Sequence, residues 1–230
     1  RFSNGFSLLA HYTWSKAMNY DGSYFVHDAK LNYAPTDTDR THTFVASTLW
    51  ELPVGKGKRF LSDANRAVEL LIGGWQLNQI TTWSSGSPFS PSYRDCDNDR
   101  DTGPCRPDLV GSVDTSGDRD RWYTTAGVTG LTNGQTAGPW RRPLANNFGT
   151  APRNSLRGPS YFNTDFSMFK NLNFTEHFRG QFRWEVFNLF NNVNLGQPVG
   201  CVDCGDSGRI TGLAPGATMR QMQFAVRIEF

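Results

Sequence analysis

No run of about 18 apolar residues occurs anywhere in this sequence, which excludes a transmembrane helix. Charge of one sign is also lacking. The 23 Lys and Arg against 21 Asp and Glu leave a net +2, too small a surplus to imply a nucleic-acid partner. Hydrophobic residues reach only 37% of the 230, and the mean hydropathy is -0.52. Histidine is rare, and His11, His27, His42 and His177 show no ligand spacing. No Ser-His-Asp order, phosphate-binding loop or pair of catalytic carboxylates stands out, so the chain is read as no enzyme and no cofactor is expected. An initiator Met and a secretory leader are missing too, and the chain opens inside a strand-like stretch at Arg1-Phe2-Ser3. A piece of a longer protein is therefore expected.

What is present is alternation. Aromatics make up 13% of the chain and Gly numbers 23, a mixture that favours strands and irregular loops over helices. In the last stretch, Met222, Phe224, Val226, Ile228 and Phe230 fall on one face, with Gln221, Gln223, Ala225, Arg227 and Glu229 on the other. Period-two alternation of this kind marks a strand with one apolar and one polar face. Five earlier segments alternate as well: about 6–15, 40–52, 74–85, 162–170 and 178–189. In the third of these, Gln79 interrupts the apolar face and Ile80 the polar one, so its pattern is the weakest.

The connections alternate in length. Those at about 16–39, 86–161 and 190–218 are long, whereas 171–177 is short, and 53–73 holds a Gly55-Lys56-Gly57 turn and one helical turn around 66–71. In an antiparallel meander, parity puts the three long loops at one end and both shorter turns at the other. Transmembrane barrels have long extracellular loops and short periplasmic turns. Tyr12, Trp14 and Trp83 would sit at the long-loop end, and Trp50, Trp75 and Phe178 at the other, as two aromatic girdles. The fold expected is all-β: an antiparallel up-and-down transmembrane β-barrel segment with about six long strands. Closed membrane barrels need about 8 strands, which favours a piece of a larger wall. The 86–161 connection reads as irregular, with a short hairpin above the membrane. The competing folds are a complete small structural barrel or porin, and a secreted β-sandwich binding module whose apolar faces pack on each other.

Several stretches are distinctive together: Tyr12-Thr13-Trp14-Ser15-Lys16, Asp39-Arg40-Thr41-His42, Glu51-Leu52-Pro53-Val54-Gly55-Lys56-Gly57-Lys58-Arg59-Phe60 and Gly73-Gly74-Trp75-Gln76-Leu77. Further along come Ser85-Gly86-Ser87-Pro88-Phe89, Arg153-Asn154-Ser155-Leu156-Arg157-Gly158-Pro159, Phe187-Asn188-Leu189-Phe190-Asn191 and Arg220-Gln221-Met222-Gln223-Phe224-Ala225-Val226-Arg227. In these stretches the chain resembles the C-terminal barrel of Oar-like TonB-dependent receptors of the outer membrane of Gram-negative bacteria. The resemblance implies a barrel of about 22 strands around an N-terminal plug. It also implies uptake of a scarce substrate driven through TonB, and recognition of the terminal Phe230 by the barrel-assembly machinery. On this reading residues 1–230 lie in the outer membrane with a periplasmic C-terminus. The plug, which would contact TonB, and the earlier barrel strands belong to other parts of the protein. The partners implied are outer-membrane lipid, that plug, those strands, the TonB system and the assembly machinery.

Two loop motifs carry candidate chemistry. Asp95, Asp97, Asp99 and Asp101 alternate, and carboxylates spaced this way on a tight loop can wrap Ca²⁺. An EF-hand loop is not matched, because Arg100 stands at the turn glycine and Arg106 at the bidentate Glu. A solvated acidic loop stapled by Cys96 and Cys105 is the preferred reading. Cys201-Val202-Asp203-Cys204 is read as a second disulfide, with a zinc or redox motif, or a four-cysteine zinc site, as alternatives. Finally, Arg179, Arg183, Glu185, Arg227 and Glu229 are expected to point inward from neighbouring strands, toward a plug or a permeation path, or to act as a charge ladder in the wall.

Overall fold

The computed structural model describes residues 5–20, 29–95, 105–174 and 178–230. Six long strands form one antiparallel sheet: β1 (Phe6–Trp14), β2 (His42–Glu51), β3 (Trp75–Ser84), β4 (Tyr161–Asn173), β5 (Arg179–Phe187) and β6 (Gln221–Glu229). Their order in space is their order in the chain, so the wall is an up-and-down meander. Among the described residues β1 and β6 are its two free edges. No second large sheet packs against it among the described residues, as a β-sandwich would require. No described helix is long and apolar enough to cross a membrane.

The register keeps one parity across all six strands. Phe6 pairs with Trp50, Trp50 with Leu77, Leu77 with Met168, Met168 with Trp184 and Trp184 with Phe224. The adjacent row on the opposite face runs Ser7, Leu49, Asn78, Ser167, Glu185, Gln223. A slip of one residue at any ladder would turn every following side chain to the other face. The apolar face remains largely uncovered: Trp14 is 76% exposed, Phe224 68% and Val226 71%. An exposed surface of this kind is tolerable only where lipid replaces water. Its aromatics form a second row toward the long-connection end, where Tyr12, Phe44, Trp83 and Phe162 pair side by side.

β3, the strand with the weakest pattern, is central and paired on both sides. Gln79 is accommodated on the apolar face because its amide donates to Thr81 Oγ1 at 3.0 Å, and Thr81 lies 3.1 Å from Thr164 Oγ1. β4 extends three residues beyond the expected 170, through Asn173. Lys170 stands on the apolar face, but its ammonium reaches past the start of β3 to the Gly73 carbonyl and lies 5.3 Å over the Trp75 ring. The aliphatic stem can thus lie along the apolar wall while the charge finds carbonyls at the edge.

Residues 52–74 and 174–178 connect strands at one end, and 15–41, 85–160 and 188–220 at the other. The helical turn in the first is α1 (Arg66–Ile72), started by Asn65, whose side chain accepts from the Val68 amide at 2.9 Å. Gly74 follows with φ +69, and a Cβ there would lie 2.6 Å from the Asn171 carbonyl oxygen.

The 86–160 connection is irregular with a short hairpin, Thr136–Ala137 with Trp140–Arg141, as the sequence indicates. Beyond that expectation, its described residues form a folded body with the buried cluster Tyr123, Ala126, Leu131, Trp140 and Ala151, joined by Val202 from the last long connection. Short ladders brace it: Pro88–Phe89 with Leu156–Arg157, and a three-stranded piece of Asp108–Leu109, Trp140–Arg141 and Thr136–Ala137. Density of Gly, Pro and Asn signals irregular backbone, and irregular backbone can still enclose a core.

Opposite faces of β6 should respond differently to charge. Val226→Arg, on the apolar face, is expected to cost about 2–4 kcal/mol in lipid vesicles, whereas Ala225→Arg on the polar face costs well under half of that. Urea unfolding of the full chain in vesicles measures both, and equal costs would contradict the face assignment.

Candidate functional site

Two regions can do chemistry: the polar face of the wall and the loop body at the long-connection end. On the wall, β4, β5 and β6 bring Asn171, Arg179, Gln181, Arg183, Arg227 and Glu229 around a cavity of about 370 Å³. Period-two geometry delivers them, since all point from the same face. Arg227 and Glu229 are 2.8 Å apart, Arg183 donates to Gln181 Oε1 at 2.6 Å, and its guanidinium lies 5.4 Å over the Phe169 ring. Glu185 accepts from Gln223 across the β5–β6 ladder. The five inward charges expected from the sequence thus share one surface. Three Arg against two Glu leave the β5–β6 patch with a small cationic surplus, and Glu51 and Asp165 on the same face of β2 and β4 offset it across the wall.

The loop body is tied down by buried polar anchors. Asp39, just before β2, is fully buried at its carboxylate and accepts from the Ala17 amide at 2.7 Å and from the Arg157 guanidinium. Burial pushes this carboxyl up. The Ala17 amide, the Arg157 guanidinium and the Thr41 hydroxyl outweigh burial and hold it below its ordinary value of 3.8. Arg157 also donates to the Gly86 carbonyl at 3.1 Å. Asn154 donates to the Pro35 carbonyl at 2.8 Å and to Asp37 Oδ1 at 2.6 Å. So 33–39, 86–89 and 153–157, three of the quoted stretches or their neighbours, converge on one clamp. Gly86 is needed there because a Cβ would lie 1.8 Å from the Gly158 carbonyl oxygen.

The second anchor is Asp203, which sequence reading passed over as the residue between two cysteines. It is fully buried; Oδ1 accepts from the Arg94 amide and Oδ2 from the Leu131 amide, both at 2.8 Å. Its own carbonyl accepts from Gly130 at 3.0 Å. Val202 beside it sits in the core and exchanges backbone bonds with Ser92 and Ala126. The 190–218 connection therefore passes through the 86–160 body as a crosspiece. Tyr123 packs on Trp140 within it and donates to the Val199 carbonyl at 3.0 Å; burial pushes its phenol far up, so it stays protonated. A polar residue flanked by cysteines in a loop was the available signal for Asp203. No local signal marks Asp39 and Arg157, which are 118 residues apart.

The motif residues are distributed as follows. Cys201 and Cys204 form a disulfide, and Cys105 is disulfide-bonded. Cys96, Asp97, Asp99 and Asp101 lie outside the described residues, as do His27 and His177. Asp95 is exposed and lies 3.8 Å from Arg94 Nε. The side chains of Cys201, Asp203 and Cys204 are near enough to share an ion. With both sulfurs in a disulfide they present no thiolate, and the Asp203 carboxylate already receives two amides. Tyr12 Oη and His42 Nδ1 are 2.6 Å apart at the rim of the apolar face. Phe230 projects fully exposed beyond the end of β6, at the end opposite the loop body.

Two perturbations test the clamp. Gly86→Ala is expected to destabilise the loop body by about 1–3 kcal/mol through overpacking. Gly212→Ala, with open space around the site, should leave it unchanged; near-UV circular dichroism during thermal unfolding reads both. Because the Asp39 carboxyl is held below its unfolded value, its contribution to stability is complete above 3.8 and is lost as pH falls through the lowered native value. Proteolysis of the full chain should show the 15–41 connection released in that acid range, and Asp39→Asn should remove this step.

The chain matches the family described as outer membrane beta barrel domain over residues 1–223. No curated protein and no solved structure matches it. The matched residues span β1 to β5, the first three residues of β6 and the loop body. A single-layer meander with a bare apolar face, a polar opposite face and a match of that extent leads to one conclusion: the chain belongs to the outer membrane β-barrel domain family, and its place is the bacterial outer membrane.

Proposed function

We propose that the chain is the C-terminal part of the barrel of an Oar-like TonB-dependent receptor, which binds a scarce substrate and takes it up across the outer membrane. One observation carries this reading. The long connections at one end of the wall form a folded body with its own core and disulfide, while the inner face of the same wall stays polar, with Arg179, Arg183 and Arg227 gathered on β5 and β6. A structured mouth above a polar path fits selective capture better than it fits a bare pore. A small structural barrel or porin agrees with the family equally well, and the loop body is what favours the receptor.

In this reading the loop body faces the outside of the cell, and the β6 end with Phe230 faces the periplasm. The open edges of the six strands pair with the remaining strands of the barrel, whose minimum is about 8. Arg179, Arg183 and Arg227 face the plug, through which the TonB system acts. Outer-membrane lipid covers the apolar face, and Phe230 is offered to the assembly machinery. The role is that of a carrier and not of a catalyst, with no cofactor and no nucleic acid involved. The four-aspartate loop keeps its reading as a solvated acidic segment with Ca²⁺ as the competitor.

Conductance separates the two functions. The full-length protein in planar bilayers is expected to be closed, and to open when urea unfolds the plug inside a persisting barrel. A channel that stands open in plain buffer would support the porin and end the receptor reading.

A further inference from the structure

We propose that the cleft lined by Asp108, Gly134, Arg141, Leu144, Asn147 and Phe148 in the loop body binds a small organic acid, a carboxylate carried on an apolar scaffold. This rests on the reading of the loop body as the ligand-binding part, and it names the ligand class. The cleft holds about 520 Å³, inside the range of roughly 300–1,000 Å³ that small-molecule sites occupy.

Its two sides differ in chemistry. Leu144 and Phe148 are exposed large apolar side chains that form one wall. The polar end is Arg141. Its Nε and one terminal nitrogen both reach Asp108 Oδ2 at 2.9 Å, while Asp108 Oδ1 accepts from the Thr150 amide at 3.1 Å. Asp108 is nearly buried and engaged on both oxygens, so it is a positioning residue that aims the guanidinium. The guanidinium has further N–H donors, and the side chain is half exposed. The Asn147 amide in the same lining carries one donor group and one acceptor, so the charged donor at this end is Arg141. An aimed guanidinium matches the fork of a carboxylate, and its partner Asp108 limits the entropy lost on binding. A neutral sugar has no group that matches the charge of this guanidinium, and Asp108 already receives Arg141 twice on Oδ2 and the Thr150 amide on Oδ1. The geometry therefore favours an acid head against Arg141 with an apolar body on Leu144 and Phe148.

Calorimetric titration of the full chain in detergent tests this, with N-acetyl-leucylphenylalanine, its C-terminal amide and maltotriose as probes. The acid is expected to saturate, with the amide weaker by roughly tenfold. Phe148→Ala, which leaves the Asp108–Arg141 pair in place, should weaken the acid by roughly tenfold. Arg141→Gln should make acid and amide alike, with near-UV circular dichroism confirming that the loop body is folded. Equal binding of acid and amide by the parent chain, preference for maltotriose, no saturation by the acid, or indifference to Phe148→Ala would overturn the proposal. The titration needs neither plug nor energy source, so its failure is distinguishable from failure of the uptake reading, which the bilayer conductance decides.

Discussion

Inside a bilayer no water is available to pair a backbone N–H or C=O, so a polypeptide that crosses with strands must satisfy each of them from its neighbours. Much of this molecule follows from that constraint. The interior strands β2 to β5 are hydrogen-bonded on both sides, in chain order, with no crossover. Continuous pairing in turn forces one parity on the whole wall, which is why a row such as Phe6, Trp50, Leu77, Met168, Trp184 and Phe224 stays on one face. Polar intrusions into that face are answered locally. Gln79, Thr81 and Thr164 bond to one another, and the Lys170 ammonium escapes to carbonyls near the end of α1.

The loop body obeys the same requirement by other means. It has little regular ladder, so its buried backbone groups pair through scattered backbone bonds, such as those of Val202 with Ser92 and Ala126, and through side chains. Asp203 serves two amides from distant segments, and Asp39 serves one amide and a guanidinium. Asn194 pairs both ways with the backbone of Phe162, fastening the last long connection to β4. Asn188 and Asn191 adopt left-handed backbone (φ 54 and 53) at the exit of β5, a conformation Asn accepts more readily than most residues. The described hydrophobic cluster lies here and not in the wall, because the wall's apolar side chains are turned toward lipid.

Function divides along the same line. The wall contributes a polar inner surface on which Arg227 of β6, opposite Gln181, stands between the levels of Arg179 and Arg183 of β5. The loop body contributes shape, including a cleft where one carboxylate aims one guanidinium beside two apolar side chains.

The strands, their faces and the end at which each connection emerges were legible in the sequence by itself. Side-chain alternation is a local property, readable over about ten residues, and lipid on one face makes it unusually regular. Even β3 could be found despite Gln79, because Trp75, Leu77 and Trp83 keep the period around it. The two cysteines at 201 and 204 and the inward charges of β5 and β6 were visible for the same reason, being close in sequence or set by parity. Only the tertiary structure decided that residues 86–160 fold into a body, that Asp39 meets Arg157, that Asp203 is a buried anchor and that Asp108 aims Arg141. Those pairings join segments 33 to 118 residues apart. Contacts at such separations are chosen by packing and by the need to satisfy buried polar groups, and they leave no periodic trace in the chain.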